Sequence, residues 1–201
     1  MPLTAIALNC TLKTSEETTS TDKLLREVIS ELEKLDVSGE IVRIVDHDIK
    51  PGVTSDEGSG DDWPALRKKI LSADILVFGT PIWLGQPSSV AKRVLERMNA
   101  FFSEADNKKR MPSFGKIAVV AIVGNEDGAH HCHAEIFQAL NDVGYTLAAG
   151  AGTYWVGQAM GATDYKDLDK PCDKTIETTR MLVSNAAHLA NLLKSAPYSG
   201  I

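Results

Sequence analysis

Residues 117–123 read Ile-Ala-Val-Val-Ala-Ile-Val, seven apolar residues in a row between Lys116 and Gly124. A strand with one face in water alternates apolar and polar residues, so this unbroken run predicts a strand buried on both faces. Residues 74–80 (Asp-Ile-Leu-Val-Phe-Gly-Thr) and 3–9 (Leu-Thr-Ala-Ile-Ala-Leu-Asn) have the same character. Such strands are typical of parallel sheets with helices on both faces, and they predict an α/β fold.

Two further strands and five helices complete the predicted pattern. The strands cover residues 40–45, where the polar Arg43 suits an edge position, and residues 145–152. Apolar spacing and helix-start signals predict helices over about 24–35, 62–71, 88–101, 128–143 and 182–193. Strands that alternate with helices predict a doubly wound sandwich, whose ligands bind at the carboxyl ends of the strands.

Length and charge narrow the class of protein. The chain has 201 residues, 43% of them hydrophobic, which suits a single domain over residues 1–201. Its net charge of −6 argues against nucleic acid or an anionic membrane as the main partner. The chain has no apolar stretch near the roughly 20 residues of a membrane span. Cys10, Cys132 and Cys172 form no CxxC pair, which disfavours a zinc or cluster site and suits a reducing cytoplasm.

The segment after the first strand, residues 9–21, is rich in hydroxyl groups and contains Lys13. The amide groups at a helix N-terminus bind phosphate, and nearby hydroxyls add donors. The hydroxyls in question belong to Thr11, Thr19, Ser20 and Thr21. A solvated loop with an ordinary N-cap explains the same residues equally well. The patterns GxGxxG and GxxxxGK[ST] are absent, so neither a dinucleotide fingerprint nor a P-loop is indicated.

Two other loops follow predicted strands. In residues 79–87, the run Pro81-Ile82-Trp83-Leu84-Gly85 is a stiff, apolar turn that suits a flat ring, although Trp83 packed into the core is the alternative. Residues 124–128 (Gly-Asn-Glu-Asp-Gly) contain two glycines, which allow a ligand to approach the backbone closely; an ordinary helix cap at Asp127 is the alternative.

Together the three loops resemble those of the flavodoxin-like NAD(P)H-dependent FMN reductase family, over nearly the whole chain. Residues 9–13 resemble its N-G-S-P-R loop, and Ser20-Thr21 matches its N-T pair at a helix start. Residues 80–88 resemble its T-P-x-Y-x-G-x-P-S turn, and residues 124–128 its third flavin loop. Three residues depart from the pattern: Cys10 replaces Gly, Lys13 replaces Arg and Trp83 replaces Tyr. The acidic Glu16 and Glu17 must point away from any phosphate.

The resemblance implies a flavodoxin-like three-layer sandwich with a five-stranded parallel sheet in the order 2-1-3-4-5. It implies FMN as cofactor, NADPH or NADH as electron donor, and a quinone, flavin or similar acceptor. FMN is expected rather than FAD, because the hydroxyl-rich turn suits a terminal monophosphate. It further implies a homodimer or homotetramer in the cytoplasm, with no metal. The flavin supplies the chemistry, so no catalytic side chain is expected. The implied cofactor contacts are Cys10, Thr11, Lys13, Thr19, Ser20, Thr21, Pro81, Ile82, Trp83, Leu84, Gly85, Gly124, Asn125, Glu126, Gly128 and His130.

Two other functions remain open from the sequence. One is a flavodoxin-type electron carrier without its own NAD(P)H turnover. The other is a partner-binding protein that has lost its flavin, which Cys10 and the acidic loop favour.

Several further residues have more than one interpretation. In the run His130-His131-Cys132-His133 only His130 and His133 share a helix face, so a place at the flavin rim or a subunit interface is favoured over a metal. Cys10 is predicted to be a small core residue, with a lowered thiol pKa as the alternative. The long segment 153–172 is expected to cover the flavin, to meet a second subunit or to pack locally. Its notable side chains are Tyr154, Trp155, Met160 and Tyr165.

Overall fold

The computed structural model describes residues 2–201, and a parallel sheet runs through them. Its strands are β1 (Leu3–Asn9), β2 (Val37–Arg43), β3 (Ile75–Trp83), β4 (Gln86–Pro87), β5 (Ile117–Gly124) and β6 (Thr146–Val156). Its helices are α1 (Ser20–Glu33), α2 (Trp63–Ser72), α3 (Ser89–Met98), α4 (Ala129–Asp142) and α5 (Asp173–Ser195). The five long strands are parallel in the order β2-β1-β3-β5-β6, which confirms the predicted order. The sheet also has a sixth strand, because β4 pairs antiparallel with β3.

Helices cover both faces of this sheet. Helices α1 and α5 pack on one face, and α2, α3 and α4 pack on the other. Within β1, Ile6 and Leu8 belong to the core under α2, α3 and α4, whereas Ala5 and Ala7 belong to the core under α1 and α5. Both sides of the strand are therefore buried, which explains why its sequence does not alternate between apolar and polar residues.

Two strand boundaries differ from the prediction. Strand β2 occupies Val37–Arg43 rather than 40–45, which puts Arg43 at its carboxyl end, opposite Asn9. Strand β6 continues to Val156 rather than ending at 152. A β-bulge interrupts the pairing of β6 with β5, because Ala118 pairs with Leu147 whereas Val120 pairs with Gly152. The sequence pattern therefore did not indicate that the strand continues. Tyr154 and Trp155 therefore lie in a strand and not in the loop after it.

The proline-rich turn after the third predicted strand is a β-hairpin. Strand β3 runs on to Trp83, and the chain returns as β4 after the two residues Leu84 and Gly85. Both turn residues have positive φ, 52° and 74°, as a tight two-residue hairpin turn requires. The predicted helix 88–101 is also shorter, since α3 ends at Met98 and Phe101 lies in a 3₁₀ turn.

A buried ion pair holds the long segment between β2 and α2. Arg97 donates two hydrogen bonds to the Asp61 carboxylate, at 3.0 and 2.7 Å, and neither side chain is exposed. Arg97 also donates to the carbonyls of Thr54 and Lys50. These bonds hold the pKa of Asp61 well below its usual range, so the pair loses its stabilising contribution only as the pH falls below about 4.

We predict that Asp61→Asn destabilises the protein by about 3–5 kcal/mol at neutral pH, because it leaves the buried Arg97 charge uncompensated. Urea unfolding measures this free energy. The matched control is Glu177→Gln, which removes the solvent-exposed pair with Lys174 and should cost at most about 1 kcal/mol. A cost for Asp61→Asn as small as that of the control would contradict the role given to Arg97.

Candidate functional site

The loop between β1 and α1 is fastened by Arg43, at the carboxyl end of the neighbouring strand. The Nη1 atom of Arg43 donates to the carbonyls of Lys13 and Thr14, at 3.0 and 2.9 Å, and to Glu17 at 3.4 Å. Its Nη2 atom lies 3.2 Å from the Asp22 carboxylate, and only 9% of the side chain is exposed. Sequence reasoning missed this role because it placed Arg43 inside a strand. Had the strand been ended at residue 43, the same arginine would have faced the loop.

Helix α1 begins at this loop with free backbone donors. The N-cap is Thr19, whose hydroxyl accepts from the Asp22 amide at 3.1 Å, so Thr21 is not the cap. The amides of Ser20 and Thr21 have no protein acceptor among the described residues. The Asp22 carboxylate, which would repel an anion here, is bonded to Arg26 at 2.6 Å as well as to Arg43. The helix N-terminus therefore keeps its attraction for an anion.

The other predicted phosphate contacts differ in their exposure. Cys10 is fully buried with its side chain in the core, which confirms the structural interpretation, and burial raises the pKa of its thiol. The alternative of an activated thiol is therefore wrong. Thr11 is buried, and its amide donates to Asn9 Oδ1 at 3.3 Å. Lys13 is half exposed and pairs with Glu17 at 3.3 Å, so that carboxylate is neutralised too.

The hairpin β3–β4 lies beside this loop and is joined to it by Ser88. The Ser88 hydroxyl donates to the Cys10 carbonyl at 2.6 Å and accepts from the Ala91 amide as the N-cap of α3. In the hairpin Ile82 is buried and Pro81 is half-buried, but 55% of Trp83 is exposed. The alternative that Trp83 packs into the core is wrong, and its indole is free to contact a ligand.

The hairpin also contacts the loop after β5. The Leu84 amide donates to Glu126 Oε1 at 3.0 Å. Gly128 has a φ of 128°, and a Cβ atom there would lie 2.6 Å from the Cα atom of Gly85. A Cβ atom on Gly124 would lie 3.0 Å from that of Ile82. The glycines of these two loops therefore let their backbones meet, as well as leaving room for a ligand at Gly85.

The segment after β6 crosses this edge of the sheet and is fixed at both ends. The amides of Gly157 and Met160 donate to the carbonyls of Gly124 and Asn125, at 3.0 and 2.9 Å. The Asn125 side chain donates to the Gly161 carbonyl at 2.8 Å, so it holds this segment. At the other end the Lys166 amide donates to the Ser20 hydroxyl at 3.2 Å. Asn125 and Ser20 thus connect the segment to two of the predicted flavin loops.

Of the aromatic residues for which a flavin contact, a subunit contact and local packing are the alternatives, Tyr165 packs locally. Tyr165 is buried and packs against Trp155, with ring centroids 5.3 Å apart. Its hydroxyl is hydrogen bonded to Glu27, whose carboxyl pKa is raised by burial. A cavity of about 520 Å³ lies behind this contact, between α1, α5 and Lys166, and shares only Thr18 and Thr19 with the loop after β1. It is separate from the edge where the three predicted loops meet.

The three histidines of α4 contact different partners. His130 packs edge-on against Tyr154, and His131 binds Glu135 at 2.7 Å. His133 is buried, stacks on Phe137, and has its pKa lowered by burial to about 4. Among the described residues, no group of three His, Cys, Asp or Glu side chains is arranged to hold a metal ion.

The carboxyl edge of the sheet therefore offers two kinds of contact. The loop after β1 provides free amides and hydroxyls, with the Glu17 and Asp22 carboxylates paired and Glu16 exposed to solvent, which fits a phosphate monoester. The hairpin and the loop after β5 provide the exposed Trp83, the open Gly85 and backbone groups, which fit a flat heteroaromatic ring. Phosphate and ring contacts at neighbouring loops match the two ends of FMN.

Comparison with known proteins agrees with this geometry. The sequence model of the NADPH-dependent FMN reductase family matches residues 5–161. The chain belongs to this family. It is accordingly an oxidoreductase that uses FMN and NAD(P)H, as family membership implies.

One relative is similar over almost the whole chain. The 8-demethyl-8-aminoriboflavin-5'-phosphate synthase of Streptomyces davaonensis is 34% identical over 99% of this chain and 81% of its own length. The crystal structure of RosB with bound 8-demethyl-8-formylriboflavin-5'-phosphate superposes with a TM-score of 0.88, at 34% identity, over 98% of this chain and 82% of that one. An archaeal flavodoxin shares the fold, with a TM-score of 0.59 at 12% identity over 94% of this chain and 99% of that one.

A second relative is much longer. The chain is 36% identical to part of the divalent metal cation transporter MntH of Mycobacterium bovis, over 96% of its own length but only 29% of the transporter's. Over residues 2–201 no helix is long and apolar enough to cross a membrane. The match therefore concerns one segment of the transporter, and the flavodoxin-like unit is what the two chains have in common.

We predict that Arg43→Met weakens FMN binding by about 10- to 100-fold, because it removes charge-assisted hydrogen bonds of about 1.5–3 kcal/mol and leaves the loop to be ordered on binding. Titration of flavin fluorescence measures the dissociation constant. Lys13→Met is the control: it removes a half-exposed pair and should change the constant by less than about fivefold. A larger loss of FMN affinity in Lys13→Met than in Arg43→Met would contradict the role given to Arg43.

Proposed function

We propose that the protein holds FMN along the carboxyl edge of the sheet and passes electrons from NAD(P)H to a quinone or similar small acceptor. The observation that carries this proposal is the free N-terminus of α1, where the Ser20 and Thr21 amides lack protein acceptors and the nearby Asp22 carboxylate is paired with Arg26 and Arg43. The relative named above supports it, since the flavin bound to RosB has a 5'-phosphate.

Each element of the edge has one task in this proposal. The amides of Ser20 and Thr21, with the hydroxyls of Thr11 and Thr21, bind the phosphate, and Arg43 holds their loop. Trp83 and the backbone of Gly85 contact the ring, while Gly124 and Gly128 let the two ring loops meet. When bound there, FMN would supply the hydride and electron chemistry that links NAD(P)H to the acceptor. The protein supplies position and exclusion of water, and no side-chain acid or base is assigned.

The cofactor contacts of the other predicted residues are backbone contacts or indirect ones. Cys10 contributes only its backbone, because its thiol is buried. Asn125 and Glu126 hold neighbouring loops by hydrogen bonds, and His130 lies at the rim beside Tyr154. The proposal further includes one flavin-binding unit over residues 1–201, a homodimer or homotetramer, and a cytoplasmic location, all in keeping with the family resemblance.

A second function is favoured by the similarity to the Streptomyces synthase. Its name says that it makes a flavin with an amino group at position 8, and RosB was crystallised with an 8-formyl intermediate. At 34% identity over nearly the whole chain, this protein is a candidate to use FMN as a substrate and to alter its position 8.

Stopped-flow mixing of the FMN-loaded protein with NADPH, and separately with NADH, tests the first function. We expect at least one of them to bleach the flavin absorbance within seconds, and a quinone to restore it. Mass spectrometry of the released flavin serves as the companion measurement.

The outcomes separate the alternatives. Unmodified FMN after many turnovers supports the reductase, whereas a flavin changed at position 8 supports the second function. If neither nucleotide reduces the flavin but a reduced protein partner does, the protein is an electron carrier and the proposed NAD(P)H turnover is wrong.

A further inference from the structure

Four residues other than glycine have a left-handed backbone among residues 2–201. They are Asp36, Leu84, Lys109 and Met160, with φ between 52° and 60°. Asp36 and Lys109 are polar and lie in turns before β2 and β5, at the amino edge of the sheet. Leu84 and Met160 are large and apolar, and they follow β3 and β6 at the carboxyl edge. The unusual pair therefore lies where the flavin is proposed to bind.

Both apolar residues combine two unfavourable features. A side chain with a Cβ atom makes the left-handed conformation costly, and among the residues that tolerate it Asn and Asp are usual, not Leu and Met. The side chains are also 92% exposed, so folding gains almost nothing from burying them. The tight turn at Leu84 requires the left-handed conformation but not a large apolar side chain, so the choice of Leu and Met at these exposed positions is a mark of function rather than of stability.

Adjacent residues of one loop hold this pair in place. The Leu84 amide donates to Glu126 Oε1 at 3.0 Å, and the Met160 amide donates to the Asn125 carbonyl at 2.9 Å. Since β5 lies between β3 and β6 in the sheet, Leu84 and Met160 approach the loop after β5 from opposite sides. The two residues thus lie on opposite sides of the loop that borders the proposed ring site, and Trp83 is the neighbouring exposed aromatic residue.

We propose that Leu84 and Met160 determine acceptor specificity by contacting the flat, uncharged ring of the molecule that takes electrons from the flavin. This inference rests on the proposed function. Two apolar side chains on opposite sides of the site fit the edges of a planar aromatic molecule. The carboxylates of Glu126 and Asp127 belong to the same loop, so a neutral ring is favoured over an anionic one.

Glycine substitution separates function from strain. The double variant Leu84→Gly/Met160→Gly relieves the backbone and keeps both amide donors, but it removes the apolar contacts. Asp36→Gly/Lys109→Gly is the matched control, because it relieves the same kind of strain at the opposite edge. Thermal unfolding of the apo proteins should show a rise of about 2–8 °C per double variant, because relief of left-handed strain exceeds the entropy that each glycine adds to the unfolded chain.

Acceptor kinetics supply the second readout. The FMN-loaded proteins are assayed with 1,4-naphthoquinone and with 1,4-benzoquinone, two neutral quinones that differ in the apolar area of the ring. The ratio of the two kcat/KM values cancels any loss that affects both acceptors equally. We expect the wild-type preference for the larger ring to fall about tenfold in Leu84→Gly/Met160→Gly, because the apolar contact with the second ring is lost, and to stay unchanged in the control.

Three results would overturn the inference. An unchanged ratio in Leu84→Gly/Met160→Gly shows that the side chains do not select the acceptor. A fall in apo melting temperature shows that they serve stability. A change of oligomeric state by light scattering, with the ratio unchanged, assigns them to a subunit contact. Failure of the wild-type protein to bind FMN or to be reduced by NAD(P)H refutes the proposed function instead, and it is seen before any variant is made.

Discussion

The Arg43 guanidinium is the interaction on which the candidate site depends. It is nearly buried, and it draws three backbone carbonyls of the β1–α1 loop and the Asp22 carboxylate toward one point. Hydrogen bonds to a charged group are worth about 1.5–3 kcal/mol each, roughly twice a neutral one, so this contact outweighs the neutral hydrogen bonds that join the other loops at this edge of the sheet. By turning these carbonyls and the carboxylate toward Arg43, it leaves the helix N-terminus to an anion.

Hydrogen bonds connect the other loops at this edge one after another, starting from the loop after β1 and returning to the start of α1. Ser88 connects the β1 loop with the hairpin, and Leu84 and Glu126 connect the hairpin with the loop after β5. Asn125 then holds the segment after β6, which returns to Ser20 at the start of α1. A ligand that bridges these loops therefore meets a largely ordered site, which lowers the entropy cost of binding.

The sequence was sufficient to predict the order of the long strands, and with it the loops that meet at the candidate site, because burial on both faces leaves an unbroken apolar pattern. The sequence was insufficient where a tertiary contact determines the end of a strand or the shape of a turn. The end of β2 at Arg43 depends on pairing with β1, and the bulge in β6 hid four further strand residues. The exposure of Trp83 and the left-handed Leu84 follow from a hairpin whose sequence contains two prolines, which favoured a simple turn.

Within the candidate site, the sequence indicated which residues lie in the loops better than it indicated what each residue does there. Thr19 and Thr21 are both plausible caps in the sequence, and only the hydrogen bond to the Asp22 amide decides for Thr19. Asn125 is predicted to contact the cofactor, and the sequence did not indicate that its side-chain amide also holds the chain after β6. Arg43 and Asn125 both form hydrogen bonds with residues far away in the sequence. A local sequence pattern does not indicate such partners.

The central claim is that the N-terminus of α1 binds the phosphate of FMN, and nuclear magnetic resonance tests it most directly. In ¹⁵N-labelled protein, the amide signals of Ser20 and Thr21 are followed during titration with FMN and, separately, with riboflavin, which has the ring but no phosphate. The account predicts large shifts of both amides with FMN and little change with riboflavin. Equal shifts with the two ligands, or FMN-induced shifts confined to the cavity between α1 and α5, would contradict it.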